Sequence, residues 1–220
     1  MKTLAASLAG MIVLAATPLS EGTTASGLKE ALRVATERAV QSTSKTNGFL
    51  DNQKIRIGLP SKLSSVTSAL RGIGMGAQVD ELEVAMNHAA EKAAGEATPV
   101  FVDAITQMSF DDARGILSGG DTAATQYFQK TTSDPLRTRF APIVADAMKD
   151  VGVNKLYEQL IGRYTSTVPF ASAPKLDLNR YVTDKTLSGL FTVVGEEEKK
   201  IRTNPAARTT DLLKQVFGGK

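Results

Sequence analysis

The chain contains no cysteine and no tryptophan, one histidine, and aromatic residues at only 5% of its length. Each scarcity removes a class of chemistry. Without cysteine there is no disulfide, no thiol nucleophile, no thiolate metal site and no lipid-modified cysteine, so the protein is expected to be indifferent to redox state. The single histidine, His88, excludes His-rich metal sites and the Glu-x-x-His pairs of ferritin-like bundles. Any Ser–His nucleophile would have to use that one ring. At 100° per residue His88 falls about 180° from Val79, opposite the apolar stripe of its helix, which predicts an exposed side chain. The lack of tryptophan argues against a sugar-binding platform, because sugar rings favour aromatic surfaces.

Long apolar runs are also missing. The longest, over 4–16 in MKTLAASLAGMIVLAATPLSEG, falls short of the ~20 residues of a membrane span. With Lys2 before it and small residues and a proline after it, the segment reads as a secretory signal over 1–22, cut after Ala15 or Gly22. The expectation is a soluble periplasmic protein made of one helical domain over 23–220. A formal charge of +3 and a pI near 9.1 are mild, and the Lys and Arg residues are dispersed. Neither this nor export favours nucleic-acid binding.

The remaining pattern is helical. Ser26 is placed to cap a helix over 26–43, with Leu28, Ala31, Leu32, Ala35 and Ala39 on one side. The stretch NGFLDNQKIRIGLP reads as a loop with a short extended piece near 53–59. A helix from Ser61 ends at RGIGMG, and a long one over 77–108 has bends available at Gly95 or Pro99. Ser109 and Asp112 form a capping-box-like start. Further helices are predicted over 121–132, 134–150, 154–166, 178–202 and 205–217, with Asp134-Pro135 and Asn204-Pro205 as helix starts. The fold class is all-α, a single-domain multi-helix bundle.

The segments NGFL, IRIGLP, GMG, FDDARGILSGGDTAAT, EEEKKIR and NPAARTTDLLKQVFG together resemble the bacterial family called domain of unknown function 4197. The likeness covers the chain from about Gly27 to Gly218. Asn204 stands where the family pattern has Asp, and both residues cap helices. The resemblance implies a helical, exported bacterial protein and supplies neither an activity nor functional residues.

Motifs that suggest chemistry mostly dissolve on inspection. SGGDTAAT lacks the lysine of a phosphate-binding P-loop. Its Asp121 is placed to cap the following amides, and its charge would repel an anion. Gly119 and Gly120 suit the left-handed end of the preceding helix, so the stretch reads as a helix–helix hinge. Thr122 and Thr125, one turn apart, leave room for a polar ligand, which makes Gly119, Gly120, Asp121, Thr122 and Thr125 the candidate loop site. RGIGMG follows a helix and has the wrong glycine spacing for a dinucleotide loop. Ser42 and Lys45 match S-x-x-K without the partner motifs of penicillin-binding enzymes.

Two carboxylates are more informative. Glu83 lies about 40° from Val79 on the apolar arc of the long helix. Glu198 projects between Leu187 and Phe191 on a second arc. Acids on apolar faces are costly unless paired. The expectation is burial with an Arg partner, the candidates being Arg71, Arg202 and Arg208, or with helix-end amides. The candidate buried polar or ligand-binding set is therefore Glu83, Asn87, Glu198, Arg71 and Arg208, with no catalytic residue, metal site or cofactor assigned. The function expected is non-catalytic binding of an unidentified protein or of a small apolar or polar ligand. Two alternatives remain open. One is a cell-wall glycan hydrolase using Glu83 and Glu198 as paired carboxylates. The other is a lipid or membrane-surface binder using the helix from Ser26 with Lys29, Arg33 and Arg38.

Overall fold

In the computed structural model of the chain, residues 21–208 are described except 151, 171, 173 and 174, together with 210, 211 and 214. The predicted signal up to residue 20, and most of the predicted helix over 205–217 beyond residue 208, lie outside the described residues. Among the described residues there is no strand. The order is α1 (Glu21–Ser44), a 3-10 turn (Ser61–Leu63) running into α2 (Ser64–Gly72), then α3 (Gly76–Ala94). A 3-10 turn (Gly95–Ala97) separates α3 from α4 (Thr98–Gln107). After these come α5 (Phe110–Ser118), α6 (Ala123–Asp150), α7 (Val153–Thr167), α8 (Leu178–Thr203) and a 3-10 turn (Pro205–Ala207). No described helix is long and apolar enough to cross a membrane.

Helices α3, α6 and α8 pack on one another at the centre. Helix α1 lies against α8, α3 and α4, α2 and α7 close against α3, and α5 sits between α1 and α6. The reason is legible in AMNHAAEKAAGEA. Ala85, Ala89, Ala90, Ala93, Ala94 and Ala97 are all buried, and such short side chains let neighbours approach α3 from several sides. Larger buried side chains fill the space between the helices, among them Phe101, Phe128 and Phe191, which meet edge to face at centroid distances of 5.2 and 6.3 Å about Phe101.

Several boundaries differ from the sequence expectation. Helix α1 is already helical at Glu21, the first described residue, so Ser26 lies inside it rather than capping it. Its apolar side, Leu28, Ala31, Leu32, Ala35 and Ala39, is docked on the core. Lys29 donates to the Thr106 carbonyl at 3.3 Å, Arg33 pairs with Glu30 and Glu37, and Arg38 donates to the Ala207 carbonyl. The helix is thus an ordinary packed element whose apolar face is not free for a lipid surface. The predicted helices over 121–132 and 134–150 are one helix, α6, with Pro135 and Pro142 inside it. Both prolines are exposed, while Phe128, Thr132, Leu136, Phe140, Val144 and Met148 recur every fourth residue on the buried side. Proline removes one N–H and leaves the carbonyl four residues earlier without its usual donor. Here those carbonyls belong to Thr131 and Thr138, exposed residues near water, so burial of the opposite face keeps the helix continuous. The capping box is present: Ser109 Oγ accepts from Asp112 N, and Asp112 Oδ2 accepts from Ser109 N, each at 3.1 Å.

Candidate functional site

The irregular stretch 45–60 is held by side chains of α3 rather than by strand pairing. It turns over 53–55 and has no regular structure over 56–60. Asn47 adopts a left-handed φ of 61°, and Gly48 packs so tightly on the end of α1 that a Cβ would stand 2.5 Å from the Ser42 carbonyl oxygen. Only glycine fits there. The next residue, Phe49, is fully buried. Glu91 accepts from the N–H groups of Asn47, Phe49 and Leu50 at 3.1, 3.0 and 3.2 Å. One turn back along α3, Asn87 accepts from Ile57 N at 2.8 Å and donates to the Ile57 carbonyl at 2.9 Å. Another turn back, Glu83 lies 3.4 Å from Leu59 N and 3.5 Å from the Arg56 guanidinium. Three polar residues at i, i+4 and i+8 therefore form a ladder that satisfies the backbone of a loop with few partners of its own.

Glu83 was expected to be largely buried; its side chain keeps 21% exposure, because it sits where the arc meets the rim beside Arg56. Glu91 was missed. It lies outside the single apolar arc of α3, and only the alanine-rich composition signals that this helix is covered on more than one side. His88 is exposed as expected, its Nε2 3.2 Å from Asn47 Oδ1.

The joint between α5 and α6 is built by a residue distant in sequence. Glu198, 4% exposed, accepts from Ala124 N and Thr125 N at 2.9 Å each and from Thr125 Oγ1 at 2.7 Å. Arg202, one turn along α8, pairs with the same carboxylate at 2.9 Å and donates to the Ile116 carbonyl at the end of α5. Glu198 thus caps α6 from outside, and Arg202 closes the end of α5. This corrects the role expected of Asp121, which is exposed, while the amides it was expected to cap are taken by Glu198. It also corrects the glycines. Gly119 is extended, at φ −79° and ψ 176°, and its lack of a side chain serves close packing, since a Cβ would stand 2.6 Å from Ala123 Cβ. Gly120, Asp121 and Thr122 lie on the surface, Thr125 is buried, and an anion approaching the start of α6 would find both amides occupied.

Of the expected arginine partners, Arg202 pairs with Glu198. Arg71 pairs with Asp80 on the surface instead, and its guanidinium holds the Asp80 carboxyl below the usual range. Arg208 is buried and donates to the carbonyls of Ile201 and Arg202, closing the end of α8. The two candidate acids are not brought together. Glu83 adjoins Tyr181, whose phenol is pushed up by burial and then by the Glu83 charge. The rise of α8 from Tyr181 to Glu198 is about 25 Å, against the roughly 5–9.5 Å of a glycosidase pair. Beside Glu198 the free space is about 10 Å³, far below a ligand pocket.

Ligand-sized spaces lie elsewhere, at the surface. One groove of about 490 Å³ runs between α4, α5 and α6 past Asp103, Asp112, Tyr127 and Lys130. A second, also about 490 Å³, shares Asp112, Tyr127 and Lys130 and continues past Gly119, Gly120 and Thr122. A third, about 520 Å³, lies at the start of α8 against Leu59, Pro60, Leu176 and Tyr181. Among the described residues no three His, Asp or Glu side chains are placed to hold a metal ion. No curated protein and no solved structure matches the chain. The buried ladder and joint are built from segments spread from NGFL to EEEKKIR, and residues 18–218 match one family along that whole length: the chain belongs to the family described as protein of unknown function (DUF4197).

Proposed function

We propose that this protein is a non-catalytic binding or interaction protein that works in the periplasm after removal of its first residues. The observation that carries the binding reading is where the buried polar groups go. Glu91, Glu198 and Arg208 are each directed at backbone donors or acceptors of loops and helix ends. Buried groups committed in this way hold the fold, and changing their charge state during a reaction would undo it. The spaces large enough for a ligand are open grooves away from them. The location rests on the sequence alone: a basic residue, a short apolar run and small residues at the start.

Native mass spectrometry of protein isolated from the periplasm of its own cells tests the binding reading, with N-terminal sequencing of the same sample. The expected result is a shortened chain, starting near residue 16 or 23, carrying a retained small molecule or partner. Full-length protein with Met1 in the cytoplasm would overturn the location. Digestion of cell-wall glycan by the pure protein would overturn the non-catalytic reading.

A further inference from the structure

The groove at the start of α8 has an apolar floor and a basic rim. Leu59, Pro60, Leu176 and the Tyr181 ring line it, and Lys62 and Lys185 stand at its edge. The floor is fixed in place: Tyr181 donates its hydroxyl to the Gly58 carbonyl at 2.8 Å, and Gly58 belongs to the loop held by the α3 ladder. Lys185 Nζ lies 5.8 Å from the Tyr181 ring centroid, so its charge is kept over the groove wall. Neither lysine has a carboxylate partner among the described residues. The one carboxylate in the lining, Asp177, is already engaged as the cap of α8, accepting from Arg180 N at 2.9 Å. A concave apolar floor calls for a hydrocarbon, and two unpaired ammonium groups at its edge call for an anion. The volume, about 520 Å³, falls within the range of small-molecule sites.

We propose that this groove binds a single-chain amphiphilic anion, an acyl chain ending in a carboxylate, taken up as a monomer. The chain lies on Leu59, Leu176 and Tyr181, and the head pairs with Lys62 and Lys185. The monomer is the source because the apolar contacts lie at the bottom of a concavity. A single chain reaches them and a flat bilayer surface does not. This deepens the binding reading and rests on it, while a different retained molecule on the native protein would leave that reading standing if this proposal failed.

The test is calorimetric titration of the full chain with dodecanoate below its micellar concentration, beside dodecyltrimethylammonium and acetate. A double variant, Lys62→Glu with Lys185→Glu, is titrated in parallel. Both lysines are exposed, and circular dichroism checks that the variant keeps the helical fold. The expected result is saturable one-to-one binding of dodecanoate, no binding of the other two probes, and a loss of about tenfold or more in the variant. Absence of saturable dodecanoate binding would overturn the proposal, as would equal binding of the cationic amphiphile or an unchanged affinity in the variant. Sedimentation with phosphatidylglycerol vesicles separates the sources. Lysine-dependent association with vesicles, without uptake of monomer, would overturn it in favour of a membrane surface.

Discussion

At the scale of single residues, the contrast between Asp121 and Glu198 shows how position in space outranks position in sequence. Asp121 is adjacent to the helix it was expected to cap, yet it is exposed, whereas Glu198 arrives from α8 and takes the amides of Ala124 and Thr125. Asp121→Ala should therefore change stability by less than about 0.5 kcal/mol, as for most surface substitutions. Glu198→Gln should cost about 3 kcal/mol, because Gln loses the charge opposite Arg202 and puts an NH2 in place of one acceptor oxygen, against either Ala124 N and Arg202 or Thr125 N and Oγ1. Denaturant melts of the two variants check both values. Asp112 offers a titratable case. The Ser109 hydroxyl, then the Ser109 N–H, hold its carboxyl below its ordinary 3.8. A depressed carboxyl adds stability above the unfolded value, and this is lost as pH falls through the folded one. Ser109→Ala should cost about 1 kcal/mol at pH 7. In melts at about pH 2.5 the difference should narrow, without vanishing, because the bond from Asp112 N to the serine hydroxyl does not titrate.

At the scale of elements, α8 carries two glycines with opposite duties. A Cβ on Gly189 would stand 2.5 Å from the Phe49 ring and 3.2 Å from Ile55 Cβ, so this glycine is the seat of the docked loop. At Gly195 the nearest atom is Thr125 Oγ1 at 3.4 Å, which a small shift accommodates. Gly189→Ala is expected to destabilise by about 1–3 kcal/mol through overpacking. Gly195→Ala should be near neutral or stabilising by up to about 1 kcal/mol through helix propensity. Thermal melts of the pair give the comparison. The helices themselves were largely readable from periodicity and caps, as at Ser109 and Asn204. Asp134-Pro135 misled because a local start signal is weaker than the continuous buried face from Phe128 to Met148. Glu83 and Glu198 were visible as acids on apolar arcs, but Glu91 was not, since α3 is enclosed on several sides and a single arc cannot express that. The groove past Gly119, Gly120 and Thr122 was partly legible, because α5 and α6 are consecutive and the loop between them stood out as a candidate site, whereas the groove at the start of α8 was not, since it joins residues 59–62 to residues 176–185.

At the scale of the whole molecule, the buried apolar residues form one contiguous core from Leu28 to Ile201. We propose on that ground that the helical region is a single folding unit, and calorimetric unfolding should then be one transition whose calorimetric and van't Hoff enthalpies agree. Within that core the three buried charged residues among those described act as fasteners: Glu91 holds the loop after α1, Glu198 with Arg202 holds the joint of α5 and α6, and Arg208 closes α8. On the binding role proposed above, recognition falls to the surface grooves. Hydrogen exchange resolved to single amides, on the native protein and on Glu91→Gln and Glu198→Gln, tests the fastening most directly. Because glutamine keeps one acceptor oxygen, the account predicts that Glu91→Gln lowers protection at Asn47 or at Phe49 and Leu50 while Ala124 and Thr125 stay protected, and that Glu198→Gln lowers it at Ala124 or Thr125 and leaves the three loop amides protected. Protection unchanged at those amides in both variants would contradict it.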